Sequence, residues 1–161
     1  MQLKQMEITE KEIGNSRFYI KPFPAFVAAN ISGDLVSVLT PMLGALSAIM
    51  GKDDITDEEG LPIIGQALSG LNGESLEKMI RKLLIDNKNI SVEAEITEGK
   101  TKPLTMDIAN EIFCGEVQDM YLLCWEVIKL NFGGFFRKLG VQFGNLSTDM
   151  QGTPTSQNGA N

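Results

Sequence analysis

The sequence predicts an α+β fold, in which a small antiparallel sheet packs with about five helices. Residues 6–23 and residues 90–96 alternate apolar and polar side chains, as half-buried strands do. Elsewhere the apolar residues recur every three or four positions, as on one face of a helix. Because strands and helices do not alternate strictly along the chain, the order favours α+β over a doubly wound α/β fold.

The first strands form a hairpin at residues 6–23. Phe18 and Ile20 alternate with charged or polar neighbours, and residues 14–16 (Gly-Asn-Ser) supply the turn, since Gly and Asn tolerate a positive φ. Pro22 and Pro24 are expected to end the second strand. The sheet therefore consists of this hairpin and one further strand.

A helix is expected over residues 35–50, with Ser32 or Asp34 as its N-cap and a bend at Pro41. Its apolar stripe consists of Leu35, Val38, Leu39, Met42, Leu43, Leu46 and Ile49. Between residues 22 and 51 Asp34 carries the sole charge. The uncharged helical part is shorter than the ~20 residues that a bilayer requires. We therefore expect this segment to pack against protein, of this chain or of a partner, and not to enter a membrane.

An acidic loop at residues 52–60 and a short helix at residues 61–71 come next. The loop does not have the spacing of an EF-hand calcium site, so a solvated loop is the simpler interpretation. After a turn at residues 72–73, Ser75 is the expected cap of an amphipathic helix. The stripe of that helix consists of Leu76, Met79, Ile80, Leu83 and Leu84.

The remaining chain contains the strand at residues 90–96, a turn-rich connection and two helices. Thr105 is the expected cap of the first helix. The second, at residues 116–132, is apolar nearly all round, which indicates a helix that is central in the core or enclosed by a partner. Gly133 and Gly134 are expected to end it. Residues 144–161 lack any periodicity and predict a disordered tail, which leaves residues 1–143 as a single domain.

Composition excludes several classes of function. The chain has 14 Lys and Arg against 21 Asp and Glu, a net charge of -7, which argues against nucleic-acid binding. It contains no His, so Ser/His and Cys/His catalysis and His-containing metal sites are excluded. Its two Cys residues are too few for a zinc site or a disulfide framework, and packed thiols in a reducing cytoplasm are expected. The first residues do not have the pattern of a signal peptide.

No motif for catalysis or nucleotide binding is present. Glu111, Glu116 and Asp119 could form an acid/base pair or bind a metal, but solubilising charges around an apolar segment are the simpler interpretation. Cys114 could be a nucleophile near a helix N-terminus, although it has no His partner and a buried thiol is favoured. We therefore predict no catalytic residue, no cofactor and no metal.

Four segments carry a family resemblance: IKPFPAF at residues 20–26, ANISGDL at residues 29–35, EIFCGEVQDMY at residues 111–121 and VIKLNFGGFF at residues 127–136. Together they resemble the tail assembly chaperones of long-tailed bacteriophages and of related prophages of Gram-positive bacteria. The resemblance spans residues 17–144 and consists of overall sequence character, without a catalytic signature. It implies a non-enzymatic protein.

The resemblance also implies partners. Such chaperones bind the tape measure protein, a very long, helical and apolar chain, before the tail tube polymerises around it. They keep it soluble in the host cytoplasm, help to recruit tube subunits, and are absent from the finished virion. In many of these phages a translational frameshift also yields a longer form. A homo-oligomer is left open.

The apolar helices are the candidate binding surface, because a chaperone that holds an apolar client needs exposed apolar residues. The candidates are Leu39, Leu43 and Leu46 on one helix, and Tyr121, Trp125 and Phe132 on the other; each could equally belong to the core.

Two other functions are compatible with the sequence. A structural tail or tail-completion protein would stay in the virion at stoichiometric amounts, where mass spectrometry would detect it. A small carboxylate-based enzyme would need a concave site with paired acids and would lose activity in Glu116→Gln.

Overall fold

A computed structural model describes residues 3–39 and 57–151. In these ranges four strands form one antiparallel sheet in the order β1-β2-β3-β4, and five helices accompany it, which confirms the α+β fold. The strands are β1 (Thr9–Ile13), β2 (Ser16–Ile20), β3 (Ile90–Glu93) and β4 (Lys102–Pro103). The helices are α1 (Ala25–Leu39), α2 (Asp57–Ser69), α3 (Gly73–Leu84), α4 (Met106–Ile112) and α5 (Val117–Gln151).

One face of the sheet is apolar and the other is polar. Phe18 of β2 lies opposite Lys11 of β1 and Val92 of β3, and Phe18 and Val92 are fully buried. The intervening residues of β2, Arg17 and Tyr19, lie on the opposite face. This arrangement is typical of an antiparallel sheet that packs on a core with one side only, and it confirms the predicted hairpin.

The strands are shorter than predicted. Residues 4–6 form a 3₁₀ turn, so β1 begins at Thr9. After β3, residues 95–97 form a second 3₁₀ turn, which leaves Ile96 exposed. The Thr97 hydroxyl stabilises that turn, because it accepts from the Ala94 N–H and donates to the Ala94 carbonyl, both at 2.9 Å. The sequence does not predict β4, a two-residue strand that contains a proline.

The first helix begins ten residues earlier than predicted. The Pro24 carbonyl accepts the first helical hydrogen bond, from the Ala28 N–H at 2.9 Å, because proline presets a helical φ where no donor is needed. Ser32 and Asp34 therefore lie inside α1, and neither is its N-cap. The rest of the predicted helix, its bend at Pro41 and the first part of the acidic loop lie in residues 40–56, outside the described residues.

Helix caps were predicted with mixed success. The cap of α3 is Asn72, not Ser75: Asn72 Oδ1 accepts from the Ser75 N–H at 2.8 Å. Thr105 caps α4 as predicted, and its hydroxyl accepts from the Ile108 N–H at 3.4 Å.

Helix α5 continues through Gly133 and Gly134, where the sequence predicts its end. Each glycine costs about 1 kcal/mol relative to alanine in a helix, which weakens the helix without breaking it. Residues 144–151, assigned to the tail by sequence, continue the helix; residues 152–161 lie outside the described part. Residues 123–128 of α5 are all buried, so this helix is central in the core, as its all-round apolar character indicates.

Two aromatic contacts connect the sheet and the following linker to the last two helices. Phe18 stacks on Phe113, with ring centroids 5.9 Å apart, and Phe23 packs on Phe132 at 6.4 Å. Asn131 completes the second contact. Its side-chain oxygen accepts from the Phe23 N–H at 2.8 Å, and its amide donates to the Val127 carbonyl at 2.9 Å. Residues 20–26 and 127–136, two of the segments that carry the family resemblance, therefore meet in space.

Two further contacts fix α5 in place. Glu126 is a buried carboxylate, 7% exposed, with Lys11 of β1 at 3.2 Å and Lys129 at 3.1 Å. On the other side, Gly60 of α2 lies directly against Trp125: a Cβ atom at Gly60 would be 2.1 Å from Cζ2 of the indole. The two helices therefore approach at a point where only glycine fits.

Among the described residues, no helix combines the length and apolar character that crossing a bilayer would require.

Candidate docking groove

An apolar groove lies between α3, α4 and α5, with a volume of about 660 Å³. Its buried lining residues are Leu84, Ala109 and Phe113, and its partly exposed ones are Leu76, Ile80, Ile85, Met106, Met120 and Tyr121. Val117, 46% exposed, lies at the start of α5. A groove of this size, with large apolar side chains left half in water, is typical of a binding surface.

The α3 wall results from the two-sided character of that helix. Met79 and Leu83 point into the core and are buried, whereas Leu76 and Ile80, four residues apart, remain partly exposed along the groove. Residues at i and i+4 share one helix face, so these two side chains present one continuous apolar strip. The sequence assigns Leu76 and Ile80 to the same core stripe as Met79 and Leu83. Their partial exposure depends on the positions of α4 and α5 in the fold.

The α5 wall consists of Val117, Met120 and Tyr121. Their spacing of i, i+3 and i+4 places them on one face of the first turns of the helix. Further along, residues 123–128 are buried in the core. The accessible part of α5 therefore lies at its beginning and not along its whole length.

Thiol chemistry differs at the two cysteines. Cys114 is exposed and lines the groove, in the turn between α4 and α5, so the prediction of a packed thiol is wrong there. Cys124 is buried, as predicted. Burial raises the pKa of the Cys124 thiol from 9.0 to about 12, because a low-dielectric environment disfavours the thiolate.

We expect a maleimide at pH 8 to label Cys114 rapidly in the folded protein and Cys124 only after unfolding, as mass spectrometry of timed samples would measure. The pKa of the Cys124 thiol is higher in the folded than in the unfolded protein. The stability that this difference provides is therefore complete below pH 9.0 and is lost as the pH rises toward about 12. Cys114→Ser is the control and should abolish the rapid phase. Rapid labelling of Cys124 in folded Cys114→Ser would contradict the prediction.

A second, acidic groove of about 620 Å³ lies beside the hairpin turn. Glu111, Glu116 and Asp119, which the sequence brings together, line it, and Glu95 joins them from the 3₁₀ turn after β3. Among the described residues, no group of three or more carboxylate or thiol side chains is arranged to hold a metal ion. Phe113 lines this groove and the apolar one alike, so the two adjoin at that residue.

The six residues proposed from sequence as partner contacts lie in different environments. Tyr121 is partly exposed and lines the apolar groove. Trp125 and Phe132 are 2% and 3% exposed, within the core. The Leu39 side chain, Leu43 and Leu46 lie outside the described residues. Whether any of the six contacts a partner stays a prediction.

The groove residues other than Tyr121 were not identified from the sequence. The available signal was the spacing of Val117, Met120 and Tyr121, which follow Cys114 and Gly115 and share one helix face. The contributions of α3 and α4 require the tertiary arrangement.

Comparison with known families identifies the chain. A family model described as "Phage tail assembly chaperone protein, TAC" matches residues 14–145. The chain belongs to this family. The matched range nearly coincides with the resemblance at residues 17–144, and it includes both grooves' residues on α3, α4 and the start of α5. No curated protein and no solved structure matches the chain.

Membership of the tail assembly chaperone family confirms the bacteriophage origin and the role in tail assembly. It indicates a non-enzymatic protein, and it implies tail-related proteins as partners.

Proposed function

We propose that this tail assembly chaperone binds the phage tape measure protein and keeps it soluble until the tail tube assembles around it. The observation that carries the proposal is the apolar groove between α3, α4 and α5, in which large apolar side chains remain half-buried. A long apolar helix is a suitable occupant, because helix-in-groove binding uses side chains at i, i+3, i+4 and i+7.

The expected binding energy is compatible with reversible binding of a client segment. Burial of apolar surface contributes about 25 cal/mol per Å², so a contact that removes ~300 Å² from water supplies about 7.5 kcal/mol before the entropic cost of association is subtracted. A groove on this scale binds a client segment without fixing it permanently. Release is necessary if the tube is to close around the tape measure protein.

The charge of the chaperone supports the same role. A net charge of -7 keeps a complex with an apolar client soluble through repulsion between complexes. We place the complex in the cytoplasm of the bacterial host, with tail tube subunits recruited to it, and expect the chaperone to be absent from purified virions. Its presence there at stoichiometric amounts would instead favour a structural tail protein.

Co-expression with the tape measure protein tests the proposal. We expect the full-length chaperone to increase the soluble fraction of the client several-fold, and Val117→Asp and Tyr121→Ala to remove most of that gain. Val117→Asp suits the first turn of a helix, where a negative charge is favoured, so α5 should remain intact. Circular dichroism and thermal unfolding establish that each variant folds.

Phe26→Asp is the matched control. Phe26 is 92% exposed, lies in the first turn of α1 and does not line the apolar groove, so its replacement removes an exposed aromatic residue from a different surface. We expect it to retain full activity. An unchanged soluble fraction with the wild-type chaperone would refute the proposed function, and an equal loss in Phe26→Asp would refute the groove as its site.

A further inference from the structure

The apolar groove and the acidic groove meet at the turn between α4 and α5. Phe113 lines both. Beyond it, Gly115 and Val117 line the apolar groove, whereas Glu116, between them in sequence, lines the acidic one. A rigid segment that lies in the apolar groove and extends past Phe113 would therefore reach the acidic groove.

The acidic groove has one sign of charge. Glu95, Glu111, Glu116 and Asp119 line it, and no Lys or Arg of the described residues does. None of these four carboxylates forms an ion pair within the described part of the chain, although Glu116 accepts a hydrogen bond from Gln118 at 2.8 Å. Many other acids of the chain are paired, among them Glu10, Glu12, Asp34, Glu77, Asp86 and Glu126.

The apolar groove offers no compensating positive charge. Its one basic lining residue in the described chain, Arg81, is shared between Glu77 at 3.6 Å and Asp86 at 3.9 Å. Four carboxylates in one concave surface repel each other, and they attract cations more strongly than isolated surface charges do. The charge that complements this surface is positive and lies at one end of the apolar groove.

We infer that the groove accepts an amphipathic helix whose apolar stripe is followed, at one end, by a cluster of Lys or Arg residues. The stripe packs on α3, α4 and α5, and the basic cluster lies over Glu95, Glu111 and Glu116. An acidic extension in that position would meet four like charges and be rejected, which gives the site selectivity among apolar helices. This inference rests on the proposed function, since it specifies which segment of the client is held.

Three synthetic helical peptides test it with the full-length protein. They share one apolar stripe and end in four Lys, four Gln or four Glu residues. Affinity is measured by fluorescence anisotropy, and occupancy of the groove by protection of Cys114, which lines it, from alkylation. We expect the Lys peptide to bind roughly tenfold more tightly than the Gln peptide at low salt, and the Glu peptide to bind most weakly. High salt should remove most of the difference, because it screens exposed charges.

Variants separate the two parts of the site. Glu111→Gln combined with Glu116→Gln should reduce the preference for the Lys peptide to about twofold or less, while binding of the Gln peptide is unchanged. Glu7→Gln combined with Glu58→Gln is the matched control, because both residues are exposed and line neither groove, and it makes the same change in net charge. Val117→Asp should weaken all three peptides.

Equal affinities for the Lys and Gln peptides, or an unchanged preference in the Glu111/Glu116 variant, would overturn the inference. So would binding of all three peptides without protection of Cys114, and so would association of the protein with itself in place of peptide binding. The peptides contain no tape measure sequence. If the peptides show no charge preference but the chaperone still solubilises the tape measure protein, only this inference is refuted. If the preference is present but co-expression has no effect on solubility, only the proposed function is refuted.

Discussion

Gly60→Ala is expected to destabilise the domain by about 3 kcal/mol. The added methyl carbon would lie 2.1 Å from Cζ2 and 2.3 Å from Cε2 of Trp125. The indole is a rigid ring in the core, 2% exposed, so it cannot move aside as the end of a flexible side chain would. Helices α2 and α5 must separate, and Trp125 loses its packing. The free energy of unfolding in urea measures the effect.

Gly65→Ala on the same helix is the matched control. A Cβ atom there meets nothing within 4 Å among the described residues, and alanine is favoured over glycine in a helix by up to about 1 kcal/mol. We expect this variant to be as stable as the wild type or slightly more stable. If the two substitutions shifted the free energy of unfolding equally, the close approach of α2 to Trp125 would be wrong.

Glu126→Gln is expected to cost about 2 kcal/mol of stability. Glu126, only 7% exposed, places its carboxylate against both Lys11 and Lys129, and its neutral replacement removes the negative charge that both ammonium groups contact. Breaking a fully buried pair costs ~3–5 kcal/mol. The cost is smaller here because both lysine side chains are about a third exposed and can turn toward water. Urea unfolding measures the loss.

Glu12→Gln is the comparison for Glu126→Gln. Glu12 lies on β1, next to Lys11, and pairs with Arg17 at 2.7 Å, but its side chain is 69% exposed, and exposed pairs contribute about 0–1 kcal/mol. A second comparison, Lys11→Met combined with Glu126→Leu, should recover part of the loss, since apolar side chains can replace a buried pair. An effect of Glu126→Gln no larger than that of Glu12→Gln would show that burial of the carboxylate is unimportant.

The sequence predicted correctly those elements that depend mainly on residues close together in the chain. The hairpin follows from the alternation around Phe18 and a turn of suitable residues, and the α4 cap follows from Thr105. The start of α1 was placed wrongly because Ser32 and Asp34 are good caps in isolation, whereas the preceding proline already starts the helix. The end of α5 was placed wrongly because the cost of Gly133 and Gly134 is small beside the burial of a long apolar helix.

The groove could not be predicted to the same extent. Its walls come from three helices that are separated in sequence, and a half-buried Ile80 has the same helical spacing as a fully buried Leu83. Of the acidic groove, the sequence grouped Glu111, Glu116 and Asp119, because they are neighbours along the chain, but it favoured solubilising charges and predicted no groove. Glu95 was missed, because it comes from the turn after β3, which lies next to them only in the folded chain.

The position of Lys11 bears on whether the edges of the sheet can pair with strands of other molecules. Because β1 is an outer strand of the sheet and Lys11 lies on its apolar face, any foreign strand that paired there would have to accommodate an inward-pointing ammonium group. At the opposite margin, β4 has two residues, one of them Pro103, which cannot donate a hydrogen bond. Both margins therefore resist fibril-like stacking of one copy of the sheet on the edge of another.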